Sequence, residues 1–209
     1  MELSEIFYSI QGESSFSGLP CIFIRLAGCN LRCSYCDTKY AYQKNFELTV
    51  QEIIKKIREY SPVSLVEVTG GEPLLQVEIY LLLDELLKEG FNVLLETNGS
   101  ILLDKVPEDV IKIVDIKTPS SNMSDKMNWG NIKYLYPYDE IKFVLSNRND
   151  FDWAVKVITD YDLLKYKVLF SPVISRLEPK ILSEWILELK MPIRLQMQLH
   201  KKVWGGQKG

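Results

Sequence analysis

The chain has 209 residues, of which 46% are hydrophobic and 25% charged, with a formal net charge of -3 and a single histidine. That length supports one substantial core and is short for two ordinary domains with a linker, so one domain over 1–209 is expected. The balance lacks the basic field of sequence-independent nucleic-acid binders, and no apolar run is long enough to span a bilayer. The acidic start Met1-Glu2-Leu3-Ser4-Glu5 also lacks the basic region of a signal peptide, so a cytoplasmic protein with neither nucleic acid nor membrane as partner is expected.

Apolar runs predict strands at 22–26, 65–69, 93–96, 113–116, 141–145, 168–170 and 193–197. The segments between them mostly show helical periodicity. Thr49-Val-Gln-Glu52 has the capping-box spacing before Ile53, Ile54 and Ile57, which predicts a helix to about residue 60 with Pro62 helping to stop it. A second helix is expected over 77–89, where Gly90 stands in the left-handed cap position, and two more over 150–161 and 179–190. Strands alternating with helices favour parallel pairing, and no internal repeat is present.

The segments that follow the predicted strands are small, polar or charged: Gly70-Gly71-Glu72-Pro73, Thr97-Asn98-Gly99, Lys117-Thr118-Pro119, Ser146-Asn147, Ser171-Pro172 and residues 198–200. In parallel α/β folds those strand ends share one rim, where sites assemble. Each segment also reads as a plain turn, and for Thr97-Asn98-Gly99 alone that reading is preferred. For Gly70-Gly71-Glu72-Pro73 a functional reading is preferred, because the glycines let backbone approach a ligand and Glu72 offers an acceptor for an ammonium group.

Three cysteines fall within eight residues, Cys29-Asn-Leu-Arg-Cys33-Ser-Tyr-Cys36, in the loop after the first predicted strand. Structural zinc sites and electron-transfer clusters take four protein ligands, so a tight trio implies a metal centre with one open coordination position. Cys21 lies in an apolar run where free cysteine packs as a small hydrophobe, and His200 lacks the short spacing of zinc modules. A four-ligand zinc site is the weaker reading.

The trio, with Tyr35 before its last cysteine and Gly70-Gly71-Glu72-Pro73 after the next strand, resembles the radical S-adenosylmethionine superfamily. There, three such cysteines hold a 4Fe-4S cluster whose fourth iron chelates S-adenosylmethionine. Gln11-Gly12-Glu13, Gly18-Leu19-Pro20, Arg25-Leu26-Ala27-Gly28, Cys36-Asp37-Thr38, Glu96-Thr97-Asn98-Gly99, Asp115-Ile116-Lys117, Pro119-Ser120-Ser121 and Gln196-Met197-Gln198-Leu199-His200 sharpen the match. Over essentially the whole chain it resembles the 7-carboxy-7-deazaguanine synthase family.

The resemblance implies ring contraction of 6-carboxy-5,6,7,8-tetrahydropterin to 7-carboxy-7-deazaguanine with release of ammonia, on the route to queuosine-type 7-deazapurines. An adenosyl radical would remove hydrogen from the carbon bearing the carboxylate, and that hydrogen would later return. Implied cofactors are the 4Fe-4S cluster on Cys29, Cys33 and Cys36, S-adenosylmethionine, and Mg2+ at Thr38. The pterin is assigned to Ile10, Gln11, Gly12, Glu13, Arg25, Thr69 and His200. S-adenosylmethionine is assigned to Tyr35, Cys36, Asp37, Gly71, Asp115, Ile116, Lys117, Phe170, Ser171, Pro172 and Val173.

A homodimer and a flavodoxin or ferredoxin electron donor are implied partners. The expected fold is of α/β class, an incomplete parallel (β/α)6-type partial TIM barrel with about six central strands and shortened outer helices. The sequence departs from the family pattern at Thr118 and Gly206, and no role is carried onto Thr118 or 203–209. Two rivals are an activase that takes hydrogen from a partner enzyme's glycine and a non-catalytic iron-sulfur or zinc module. The first leaves Gln11-Gly12-Glu13 and Cys36-Asp37-Thr38 without a task, and the second needs a fourth ligand.

Overall fold

The computed structural model describes residues 1–205, so Gly206 lies outside the described residues. Seven strands pair in parallel: β2 (Pro20–Leu26), β4 (Leu65–Gly70), β5 (Asn92–Thr97), β6 (Ile111–Ile116), β7 (Glu140–Leu145), β8 (Lys167–Pro172) and β9 (Ile193–Leu195). They correspond to the seven predicted runs. At one edge β1 (Glu2–Ile10) runs antiparallel to β2, and β3 (Phe46–Glu47) antiparallel to β1, giving a nine-stranded sheet of order β3-β1-β2-β4-β5-β6-β7-β8-β9. The sheet is mostly parallel and does not close on itself, as an incomplete barrel requires.

Strand residues alternate between two environments. Ile22, Ile24 and Leu26 of β2, Val66 and Val68 of β4, Val114 and Ile116 of β6, and Ile141, Phe143 and Leu145 of β7 enter the main core. The helices covering that side are α1 (Val50–Ile57), α2 (Ile79–Lys88), α3 (Arg148–Asp160) and α4 (Pro179–Leu189). At α1 the capping box forms as expected: Thr49 Oγ1 accepts from Glu52 N at 3.2 Å, and Glu52 Oε2 accepts from Thr49 N at 2.7 Å. A 3-10 turn, Arg58–Tyr60, extends that helix to its predicted end. Helix α3 begins two residues before the expected start because Asn147 caps it, accepting from Asp150 N at 3.0 Å.

The connection from β6 to β7, where the sequence predicts no helix, carries 3-10 turns. Asn131 explains their hold. Its amide donates to Gly99 O and Ile101 O and accepts from Leu103 N, tying this connection to the one after β5. The chain leaves the sheet at Leu195, two residues before the predicted strand end. Gln196 Nε2 then turns to Met197 O, Leu199 N donates to Gly12 O at 2.9 Å, and the short helix α5 (Leu199–Val203) begins. His200 therefore lies in a helix and not at a strand end. Backbone beyond β9 is stitched to the β1–β2 loop, across the open side of the sheet. No helix among the described residues is long and apolar enough to cross a membrane.

Candidate active site

On the concave side of the sheet, residues two apart along each strand climb from an apolar floor to a charged layer. The floor holds Cys21 and Phe23 of β2, Leu65 of β4, Leu94 of β5 and Ile113 of β6, with Phe7 and Phe16 against them. The next inward positions are Arg25, Glu67, Glu96, Asp115 and, on β7, Lys142. All of these line a cavity of about 770 Å³ that opens among the strand ends. Period-2 alternation thus seats charges inside a barrel whose outer face is aliphatic.

Cys29, Cys33 and Cys36 line the same cavity and are half-buried. Backbone bonds from Gly28 N to Ala41 O, Glu72 N to Gly28 O and Ser34 N to Ser121 O hold their loop. Leu31 N points at Cys29 Sγ from 3.4 Å. Burial pushes the thiols of Cys29 and Cys33 up, and Lys117 partly opposes it, so the proton stays until a metal takes the sulfur. Among the described residues no three His, Cys, Asp or Glu side chains gather as a site for a single metal ion would demand. Cys29, Cys33 and Cys36 all line this one cavity, as three ligands of one cluster must. Cys21 is fully buried in the floor, where burial and Glu67 drive its thiol far up, as expected for a packing residue.

Gly71 meets the cysteine loop so closely that a Cβ there would collide with Gly28 O and the Cys29 Cβ. The carboxylate of Glu72 faces away from the cavity. It is fully buried and accepts from Leu74 N, Thr97 Oγ1 and Asn98 N, which corrects the expectation that this side chain stands ready for an ammonium group. Its task here is to brace the Gly70-Gly71 turn against the end of β5.

Asp115 Oδ2 pairs with Lys117 Nζ at 2.8 Å, whereas Asp115 Oδ1 is buried without a partner in the cavity wall. A buried acceptor of this kind fits a ligand hydroxyl, such as one on the ribose of S-adenosylmethionine. Tyr35 donates to Val144 O at 3.2 Å, and burial pushes its phenol up to about 12. For Asp37, which is half exposed, crowding by neighbours is outweighed by Lys201, Thr38 and Gln198, which hold the carboxyl well below the usual range. Thr38 Oγ1 donates to Asp37 Oδ1 at 3.0 Å and also lines the cavity. Ser171, Pro172 and Val173 line it as well. Ile116 and Phe170 do not: strand alternation turns their side chains into the main core, so only their backbone can face a cofactor.

The β1–β2 loop closes the other end. Gln11 is buried with its amide engaged on both sides, Nε2 donating to Glu67 and Oε1 accepting from Glu13 N at 2.9 Å. At Gly12 a Cβ would run into the His200 ring, so a larger residue there would force His200 to shift. Burial pushes the His200 imidazole below its ordinary value despite nearby Glu13, leaving it neutral near pH 7. Glu13 Oε1 accepts from Gln198 Nε2 at 2.8 Å and Oε2 from Lys142 Nζ at 2.7 Å. Arg25 Nε donates to Glu5 at 2.8 Å while its guanidinium lines the cavity beside Thr69 and Ile10. Sequence reasoning gave no role to Glu67, Glu96, Lys142 or Gln198. Its available signal was a charge at an inward position of an otherwise apolar strand.

The Radical SAM superfamily model matches residues 23–161. The 7-carboxy-7-deazaguanine synthase of Koribacter versatilis is 40% identical, with 98% of this chain and 97% of the relative covered. The same-named protein of Chlorobaculum tepidum is 43% identical over 98% of this chain and 94% of its own. In fold, the chain resembles the crystal structure of QueE from Escherichia coli, with a TM-score of 0.80, 24% identity, and 95% and 94% of the two chains covered. With near-complete coverage in both directions and the cysteine trio inside the matched region, the chain belongs to the 7-carboxy-7-deazaguanine synthase family of the radical SAM superfamily.

Proposed function

We propose that this enzyme contracts the ring of 6-carboxy-5,6,7,8-tetrahydropterin to 7-carboxy-7-deazaguanine with loss of one ammonia. The observation that carries the reading is that the three thiols and the charged layer open into one cavity. When bound, the 4Fe-4S cluster and S-adenosylmethionine supply an adenosyl radical that abstracts hydrogen. The atoms balance without an external oxidant, since the pterin loses only ammonia and the abstracted hydrogen returns to the substrate skeleton.

Cys29, Cys33 and Cys36 hold three irons in this reading. Tyr35, Asp37, Gly71, Asp115, Lys117 and Ser171 to Val173 wall the S-adenosylmethionine subsite, with backbone of Cys36, Ile116 and Phe170 completing it. Glu13 offers its carboxylate to the N–H groups of the pterin's guanidine-like edge, and Arg25 presents a planar fork to the substrate carboxylate. Thr69 and His200 supply neutral polar contacts, Ile10 and Gly12 supply wall and backbone, and Gln11 sets the position of Glu13. Holding the substrate close and dry matters because an adenosyl radical attacks whatever C–H lies nearest.

Mg2+ is assigned to Thr38, with substrate oxygen and water completing its shell, because a hydroxyl alone is a weak ligand. The same reading includes a homodimer, a flavodoxin or ferredoxin as electron donor, a single domain over the whole chain, and a cytoplasmic setting that keeps the thiols reduced. A Cys33→Ala variant should lose cluster iron and sulfide together with turnover. A Glu13→Ala variant should keep the cluster and lose pterin turnover. Retained activity in either variant contradicts the corresponding role. Chelation of Mg2+ should slow turnover and added Mg2+ restore it, and a rate indifferent to both rejects the metal assignment.

A further inference from the structure

Lys142 is, with Glu67, among the least exposed ionisable side chains in the cavity wall, and the pterin and S-adenosylmethionine assignments leave it without a role. It stands on β7 in register with Asp115 of β6. Its ammonium reaches Glu13 Oε2 at 2.7 Å, Glu96 Oε1 at 2.5 Å and Asp115 Oδ2 at 3.8 Å, with its side chain only 6% exposed. An ammonium has three N–H donors and no acceptor: two bond Glu13 and Glu96, and Asp115 at 3.8 Å adds an ion pair, so acids from three different elements surround this one. The two close partners keep further lone pairs on the cavity side. Among the described residues, Glu13 Oε1 otherwise takes only Gln198, and Glu96 Oε2 takes only the Thr69 hydroxyl at 3.2 Å.

A second rung steadies the same loop. Two residues before Lys142, Glu140 is fully buried and accepts from Ser15 N at 3.0 and 3.1 Å and from Ser15 Oγ. Residues 13 and 15 of the loop thus face residues 142 and 140 of β7, a short side-chain ladder between loop and strand. Only the Lys142 rung also grips Glu96.

We propose that Lys142 is a specificity-determining positioning residue, which draws the carboxylates of Glu13 and Glu96 together so that both accept from the N–H-rich edge of the pterin. Without the shared cation, these two half-buried acids, 20% and 26% exposed, would repel and turn apart. Lys142 itself needs no contact with the reacting atoms. Discrimination follows from the paired acceptors: a ring lacking the 2-amino group leaves buried carboxylate lone pairs unmatched, which costs far more than the lost area.

This inference rests on the pterin reading of the site. The test is anaerobic equilibrium binding of 6-carboxy-5,6,7,8-tetrahydropterin and of the same compound lacking its 2-amino group, to cluster-loaded wild-type and Lys142→Gln protein. Binding of S-adenosylmethionine is measured in parallel. Wild type should prefer the natural pterin by roughly 100-fold or more, on the scale of sites built around hydrogen bonds. Lys142→Gln should shrink that ratio to below about 10-fold while S-adenosylmethionine affinity stays within about twofold. Lys142→Arg, which keeps the charge, covers the case in which the neutral variant does not fold, and should show an intermediate ratio.

A wild-type ratio in the folded Gln variant, or in the Arg variant if it alone folds, overturns the role of Lys142. Equal loss of pterin and S-adenosylmethionine binding overturns it too, because that marks general collapse of the cavity. Wild type that ignores the pterin defeats the substrate reading, and this inference with it.

Discussion

Glu67 lies buried beneath the cavity, where burial and the neighbouring Glu96 push its carboxyl up to about 8. The unfolded chain ionises this group at its ordinary value, so between that value and about 8 the folded state holds more protons than the unfolded one, and stability falls as pH rises. A Glu67→Gln variant keeps an acceptor for Gln11 and removes the titration. Its melting temperature should match wild type below the carboxylate range, exceed it increasingly through neutral pH and level off above about 8. Each 1 kcal/mol recovered is worth roughly 2–4 °C in a chain of this size. Parallel melting curves at pH 5 and pH 9 would show that the carboxyl is not held protonated by the fold. At this scale the sequence was only partly legible. Cysteine spacing announces the metal centre, because ligand chemistry is local. The inward charges Glu67, Glu96 and Lys142 are not announced, because their meaning depends on which strand faces which.

Helix α1 shows what local sequence does specify. The reciprocal Thr49 and Glu52 bonds close two free N–H groups at its start, so Thr49→Ala should cost about 1 kcal/mol of stability with turnover unchanged per folded molecule. A thermal melt and a cluster-normalised rate measure both, and an unchanged melting temperature rejects the cap's contribution. The parallel strands were legible for the same reason that helices were: hydrophobic period survives in the sequence wherever one face is buried. Strands β1 and β3 were not. Ile6 packs against the main core and Phe7 against the cavity floor, so both faces of β1 carry apolar residues and its period-2 signal is lost, and β3 has just two residues. Helix α5 was not foreseen: residues 198–200 read as a polar segment after the last strand, because the helix start is fixed by a contact to Gly12 nearly the whole chain away.

Taken whole, the molecule is a mostly parallel sheet left open on one side, with that side bridged by the β1–β2 loop and the segment after β9. The open geometry brings residues from both ends of the sequence, Glu13 and His200 among them, to the same cavity as the cysteines near residue 30. It also explains why the site is longer than any motif within it. Anaerobic turnover of the reconstituted protein with 6-carboxy-5,6,7,8-tetrahydropterin, S-adenosylmethionine, reductant and Mg2+ should yield one 7-carboxy-7-deazaguanine and one ammonia for each pterin consumed, with S-adenosylmethionine conserved. Cleavage of S-adenosylmethionine while the pterin is recovered unchanged would refute ring contraction at this site.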